Sequence, residues 1–160
     1  GSKTQRVIGQ ASFPAPDYKR PESVLVVVYT LDRETLILQR VGNSFWQSVT
    51  GSLNWGEETP DEAARRELFE ETGIASEAGW RRWGISRRFQ ILPEYRYRYG
   101  PGVVENEEHV FSVELSDRCR VQINPFEHLQ SRWVKIELAA QSIWSWTNRL
   151  ALKQLAEELA

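Results

Sequence analysis

Cysteine is almost missing from this chain: Cys119 is the only one in 160 residues, and there is no methionine. With a single thiol no intrachain disulfide can form. That excludes the disulfide-stapled scaffolds of small secreted proteins and fits a reducing, cytoplasmic setting. Long apolar runs are missing too. The longest, Val24 to Val28 followed by Tyr29, is far too short to cross a bilayer, and no signal-peptide pattern precedes it, so no membrane partner is expected. Charge of one sign is equally scarce. The formal net charge is −2, which gives no global reason to expect nucleic acid as a partner. No Ser-His-Asp or Cys-His arrangement stands out, so a side-chain nucleophile is not indicated.

What is present is the material of one soluble domain. Hydrophobic residues make up 41% and charged residues 26%, and the length suits a single core. Seven tryptophans are many for this size and suggest either a dense aromatic core or a site for a flat ring. Gly1-Ser2 reads as an expression remnant. Residues 1–17, with Pro14 and Pro16, read as a loose arm ahead of one domain over 18–160.

Ser23 to Thr30 is an almost unbroken apolar run, the mark of a strand buried on both faces. Thr35 to Arg40 and Phe45 to Ser52 read as further extended pieces, with a polar loop after Gly51. Thr59-Pro60-Asp61-Glu62 offers an N-cap, a proline in the first turn and a glutamate three residues after the cap, and Gly73 is a natural stop. The spacing predicts a helix over about Pro60 to Thr72. Beyond it Trp80 to Gln90, Tyr95 to Tyr99, Glu107 to Leu115 and Ser131 to Ile136 read as extended. The chain ends in an amphipathic helix on which Leu150, Leu155 and Leu159 are expected to mark one side. Strands on both sides of a central helix, with a second helix at the end, predict an α/β/α sandwich around a mixed sheet.

The chemistry concentrates in the first helix. With Glu67 at zero, Glu71 falls at about +40° and Glu70 at about −60°, so three carboxylates crowd one face. Like charges at this spacing repel. One reading is a solvated acidic surface. The other is a hard-oxygen site for Mg²⁺ or Mn²⁺, whose remaining ligands would come from water and substrate phosphates.

Context favours the second reading. "GSLNWGEETPDEAARRELFEETGI" (Gly51 to Ile74) resembles the Nudix box, G-x5-E-x7-R-E-U-x-E-E-x-G-U, where U is apolar. Arg66, Glu67, Leu68, Glu70, Glu71, Gly73 and Ile74 match its second half position for position. Seven residues separate Glu58 from Arg66, as the box requires, but six rather than five separate Gly51 from Glu58. Counting forward from Gly51 instead selects Glu57. Glu58 is preferred because it holds its place before the Thr-Pro cap. The choice between the two stays open at this point.

Outside the box, "YKRPESVLVVVY", "FWQSVTGS", "YRYRYGPGV", "ENEEHVF", "EHLQSRWV" and "SWTNR" resemble segments of the bacterial dihydroneopterin triphosphate pyrophosphohydrolases, a branch of the Nudix hydrolases also described as dATP pyrophosphohydrolases. The resemblance implies a Nudix fold and Mg²⁺-dependent hydrolysis of a small triphosphate: 7,8-dihydroneopterin triphosphate to the monophosphate and pyrophosphate, on the way to folate. It implies metal ligands at Glu58, Glu67 and Glu71, with Glu70 as a ligand or the general base, and it adds Glu108 to the metal site. Arg66 is expected to orient the glutamates by hydrogen bonds.

For the substrate, Arg96 and Arg98 alternate with Tyr95, Tyr97 and Tyr99. On an extended segment the two guanidinium groups would face one way, toward a triphosphate tail or toward solvent. Phe45 and Trp46 could stack on the ring or pack in the core. Arg40 could reach phosphate or cap the sheet edge. Trp146 and Asn148 could line the ring pocket or only start the last helix. His109 would face away from Glu108 and reads as surface or core, and His128 has no ligand partner in sequence. Rival readings are another Nudix substrate (dATP, an oxidised deoxynucleotide, ADP-ribose or a dinucleoside polyphosphate), a non-catalytic nucleotide sensor and an RNA-processing member. A monomer and a homodimer fit equally well.

Overall fold

The computed structural model describes residues 18–160; the expected arm over 1–17 lies outside the described residues. Seven strands and three helices follow in the order β1 (Glu22–Thr30), β2 (Glu34–Arg40), β3 (Trp46–Gln47), β4 (Val49–Ser52), α1 (Pro60–Thr72), β5 (Trp80–Gln90), β6 (Glu105–Leu115), β7 (His128–Lys135), α2 (Ile136–Ala139) and α3 (Trp146–Leu159). β1 runs parallel to β6 over nine residue pairs and all other pairings are antiparallel, so the sheet is mixed. No helix among the described residues is long and apolar enough to cross a membrane.

The apolar run of β1 explains the layering. Side chains alternate across a strand. Val24, Val26 and Val28 pack on one face with Ala63, Ala64 and Leu68 of α1. Leu25 and Val27 pack on the other with Ala151, Leu152 and Leu155 of α3. Both faces are covered, which is the expected α/β/α sandwich.

The α1 boundaries agree with the sequence reading. Thr59 accepts from the Glu62 amide, the Glu62 side chain returns to the Thr59 amide, and Gly73 ends the helix with φ 77°. Such a capping box stabilises the helix start by about 1 kcal/mol. On α3 the expected stripe holds for Leu155 and Leu159, which pack on the core, but not for Leu150. Leu150 is exposed, and the buried side is Thr147, Asn148, Ala151, Leu152 and Leu155. Five residues turn a helix by about 140° beyond one full circle, so Leu150 cannot share a face with Leu155.

Two departures shape the site. First, Pro93–Arg98 is a 3₁₀ helix rather than a strand. Pro93 stands in its first turn, and the amides of Tyr95 and Tyr99 donate to the carbonyls of Leu92 and Arg96. A three-residue repeat places Tyr95 and Arg98 on one side, and the Arg98 guanidinium lies over the Tyr95 ring at 5.4 Å. Second, β1 changes partner along its length. It meets β2 at Tyr29 and Thr35, near the connecting turn, and meets β4 from Ser23 to Val26. β2 pairs with β7 along its whole length, and its other edge passes from β1 at Thr35 to β3 at Leu38 and Gln39. The sheet therefore splays at the end where β2 finishes, β1 begins and β4 passes, and a cleft opens there.

Candidate active site

Two cavities share that cleft. One, of about 460 Å³, is lined by Glu67, Glu71, Glu127 and His128. The other, of about 180 Å³, is lined by Phe45, Phe89, Trp144, Trp146, Asn106 and Glu108. Lys19, Arg40, Gln47, Thr50, Ser52 and Arg98 line both, so the two form one continuous cleft with cations at the junction.

Arg66 organises the acidic end. Its Nε and Nη2 donate to the two oxygens of Glu58 at 2.7 and 2.9 Å. Nη1 donates to Glu67 at 2.8 Å and to Glu70 at 3.1 Å, and Nη2 reaches the Ser52 carbonyl at 3.0 Å. The guanidinium thus ties the helix face to the preceding loop and to β4. Its bond to Glu58 raises its affinity for the proton still further. Arg66, in turn, holds the Glu58 carboxyl below the usual carboxylate range, and Glu58 also accepts from the Asn54 amide. Glu57 is exposed. The loop with one extra residue therefore turns Glu58, not Glu57, toward the helix.

The three helix glutamates are not equivalent. Glu70 is the most exposed, with 56% of its side chain accessible against 13% for Glu67. The Glu67 carboxylate rests on Gly51, where a Cβ would stand 2.1 Å from its Cδ. Only a residue without a side chain leaves that carboxylate its place. Glu71 is buried. Burial, its hydrogen bond with Glu67 and the Glu67 charge push its carboxyl well above the ordinary range, and Glu127 adds to the effect. Its Oε1 has no hydrogen-bond partner among the described residues. His128 Nε2 is 3.7 Å away, too far for a hydrogen bond, and burial holds that imidazole down at about 4, so it is neutral near pH 7.

A buried, partnerless carboxylate oxygen among further carboxylates is costly unless a cation neutralises it. Glu67, Glu71 and Glu127 line this basin and offer only oxygen donors, the chemistry that suits a hard divalent ion such as Mg²⁺, and Arg66 holds Glu58 alongside. A separate grouping of Glu22, Glu107 and His109 brings three ligand atoms within 4.8 Å of one another on the α1 face of the sheet. Its members are already paired: His109 with Glu22 at 2.7 Å, Arg20 with Glu22 at 2.9 Å and Ser86 with Glu107 at 2.8 Å.

The other end of the cleft is apolar and aromatic. Phe45 and Trp144 stack face to face, with centroids 4.6 Å apart and planes 3° from parallel. Trp146 is nearly half exposed at the rim. At the junction Lys19 is held below its normal pKa, first by burial and then by Arg98 and Arg40. Three cations crowded this closely are suited to a polyanion.

The structure revises several expected site residues. Trp46 faces the α3 core and stacks under Arg132, and it lines neither cavity. Arg96 donates to the Ile91 carbonyl and points elsewhere, because the 3₁₀ turn separates it from Arg98. Asn148 is consumed internally: Oδ1 accepts from the Ser48 amide at 2.8 Å and Nδ2 donates to Ser48 Oγ at 3.0 Å. It pins the break between β3 and β4. Glu108 lines the aromatic cavity and not the basin of Glu67 and Glu71. Arg40, Phe45, Arg98 and Trp146 all line the cleft. Sequence reasoning missed Lys19, Trp144, Glu127 and His128. Only their place at the cleft distinguishes these four from ordinary polar and aromatic residues.

Residues 19–155 match the family model of the NUDIX domain. The chain is 41% identical over 142 residues to the dihydroneopterin triphosphate diphosphatase of Escherichia coli K12, covering 86% of this chain and 93% of that protein. It is 36% identical over 148 residues to the protein of that name from Haemophilus influenzae, covering 89% and 92%. Among solved structures, the E. coli dihydroneopterin triphosphate pyrophosphohydrolase superposes with a TM-score of 0.82 at 38% identity, covering 88% of this chain and 98% of that one.

Proposed function

Because the chain belongs to the Nudix family of hydrolases, we propose that it hydrolyses 7,8-dihydroneopterin triphosphate to the monophosphate and pyrophosphate, with Mg²⁺ as its cofactor. The observation that carries this reading is the two-ended cleft: an aromatic seat for a flat ring, a cationic junction, and a carboxylate basin beyond it. A ring, a linker and a triphosphate need those three environments in that order.

Phe45 and Trp144 would hold the ring by stacking at the aromatic end. Lys19, Arg40 and Arg98 would bind the triphosphate as it passes the junction and bring its phosphorus atoms to the basin. Glu67 and Glu71 would hold the metal, with Glu127 beside them and Glu58 held ready by Arg66. Arg66 is a positioning residue in this scheme, since its donors are taken up by Glu58, Glu67, Glu70 and the Ser52 carbonyl. When bound, the metal supplies charge neutralisation at the transferred group and a lowered pKa for an attacking water. Glu70, the most accessible member of the triplet and paired with Arg66 at 3.1 Å, would be the acceptor for that water's proton. The competing substrates are dATP and oxidised deoxynucleotides, whose rings would use the same aromatic seat.

The test is Mg²⁺-dependent pyrophosphate release from dihydroneopterin triphosphate, compared with dATP, GTP and ADP-ribose. The expected outcome is a clear preference for the pterin, together with a loss of about a thousandfold in kcat for Glu71→Gln and a smaller loss for Glu70→Gln. No preference for the pterin would sink the substrate assignment. A fully active Glu71→Gln would sink the assignment of the metal site.

A further inference from the structure

The floor of the aromatic cavity contains two polar atoms without partners. Glu108 is 4% exposed and Asn106 is 1% exposed. They stand two residues apart on β6, so both side chains leave the same face of the strand, and both line this cavity. Among the described residues, Glu108 Oε1 and Asn106 Oδ1 have no hydrogen-bond partner. The rest of each group is engaged: the Glu108 carboxylate bonds with Thr147, and Asn106 Nδ2 donates to Ser23 Oγ at 2.7 Å. These contacts hold both free oxygens in place. Buried acceptors left unpaired are costly, and a site that keeps two of them is built for a ligand that brings donors.

We propose that Glu108, with Asn106 beside it, reads the hydrogen-bonding edge of the substrate ring and selects heterocycles that carry an amino group next to a ring N–H. A 2-amino-4-oxo pterin and a 2-amino-6-oxo purine both present that edge. Adenine has a ring-nitrogen acceptor beside its amino group and so offers this floor one donor rather than two. This deepens the reading of the cleft as a ring-and-triphosphate site and rests on it. It also gives Glu108 a different task from metal binding.

The surroundings agree. Burial pushes the Glu108 carboxyl up to about 7, although Thr147 and Arg87 both favour its ionised form. Arg87 lies across from Glu108 in the β5–β6 register, yet its own Nη1 is buried without a partner. The pair therefore does not close on itself as a structural salt bridge would. A ring edge with two N–H groups supplies the donors that the carboxylate lacks.

The experiment compares GTP with ITP, which differ only by the 2-amino group. Their affinities are measured by calorimetry with Ca²⁺ in place of Mg²⁺, for the wild type and for Glu108→Gln. The wild type is expected to bind GTP about 10- to 100-fold more tightly than ITP. E108Q is expected to lose most of that preference through weaker GTP binding, with ITP changed less than about threefold and Mn²⁺ affinity, read by electron paramagnetic resonance, unchanged. Equal wild-type affinities, binding of neither nucleotide, equal losses for both in E108Q, or a weakened Mn²⁺ site would each overturn the proposal. If E108Q does not fold, Asn106→Ser replaces it and must lower the same ratio. The outcome is independent of pterin turnover: a protein that discriminates GTP from ITP through Glu108 but does not prefer the pterin refutes the substrate assignment and leaves this inference standing.

Discussion

The two ends of the cleft are built in opposite ways. The carboxylate cluster around Arg66 comes from one helix and the loop before it: Glu58, Arg66, Glu67, Glu70 and Glu71 lie within a short stretch, and a single guanidinium ties most of them together, while Glu127 and His128 join the basin from the start of β7. The aromatic cavity gathers Phe45 from the turn after β2, Phe89 from β5, Asn106 and Glu108 from β6, Trp144 from the approach to α3 and Trp146 from its first turn. Apart from the successive strands β5 and β6 and the two tryptophans at α3, those stretches lie far apart in sequence. A local site can be written into a motif. A site assembled from strand ends depends on the topology that brings them together.

Three variants would break or sharpen this contrast. The largest effect is expected from Gly51→Ala. Its Cβ would occupy the position of the Glu67 carboxylate and would have to displace it. Divalent-metal affinity and kcat are expected to fall together by about 10- to 100-fold, with little change in melting temperature, because the displaced group is the end of a flexible side chain. An unchanged metal affinity in titration would mean that Glu67 does not depend on its seat. At the other end, Phe45→Ala removes the stacking partner of Trp144. KM for the ring-bearing substrate is expected to rise by about 3- to 10-fold with kcat nearly constant. A fall in kcat alone would place Phe45 outside ring binding. The smallest effect on catalysis is expected from Asn148→Ala. Loss of its two bonds to Ser48 leaves a buried amide unpaired and should cost about 1–3 kcal/mol of stability in denaturant unfolding. Activity per folded molecule should stay near wild type. A raised KM without a stability loss would return Asn148 to the substrate site.

The same contrast explains what could be read in advance. Helix α1 was legible to the residue because caps are local chemistry: Thr59, Pro60 and Glu62 start it and Gly73 ends it. The layering was legible because β1 is apolar on both faces. Tyr95 to Tyr99 was misread because alternating Arg and Tyr imitate a strand. Pro93 and the i to i+3 amide bonds made a 3₁₀ turn instead, which kept Arg98 in the cleft and sent Arg96 away. Trp46 and Trp144 show the limit most clearly. Both are tryptophans beside turns, and nothing in their neighbours says which one meets Phe45. The pairing is set by where the approach to α3 crosses β3, with Ile143 bridged to Trp46.

By itself, then, the sequence determined the helix, its crowded carboxylates and the arginine among them, because caps, periodicity and charge spacing act over one or two turns. The tertiary structure alone decided the rest. Through the splay of β1 between two partners it chose Glu58 over Glu57, seated Glu67 on Gly51, buried Glu71 against His128, and placed Glu108 in the aromatic cavity rather than the basin. Those outcomes depend on which distant backbone lies within a few ångströms of each side chain. Only the completed sheet sets that distance.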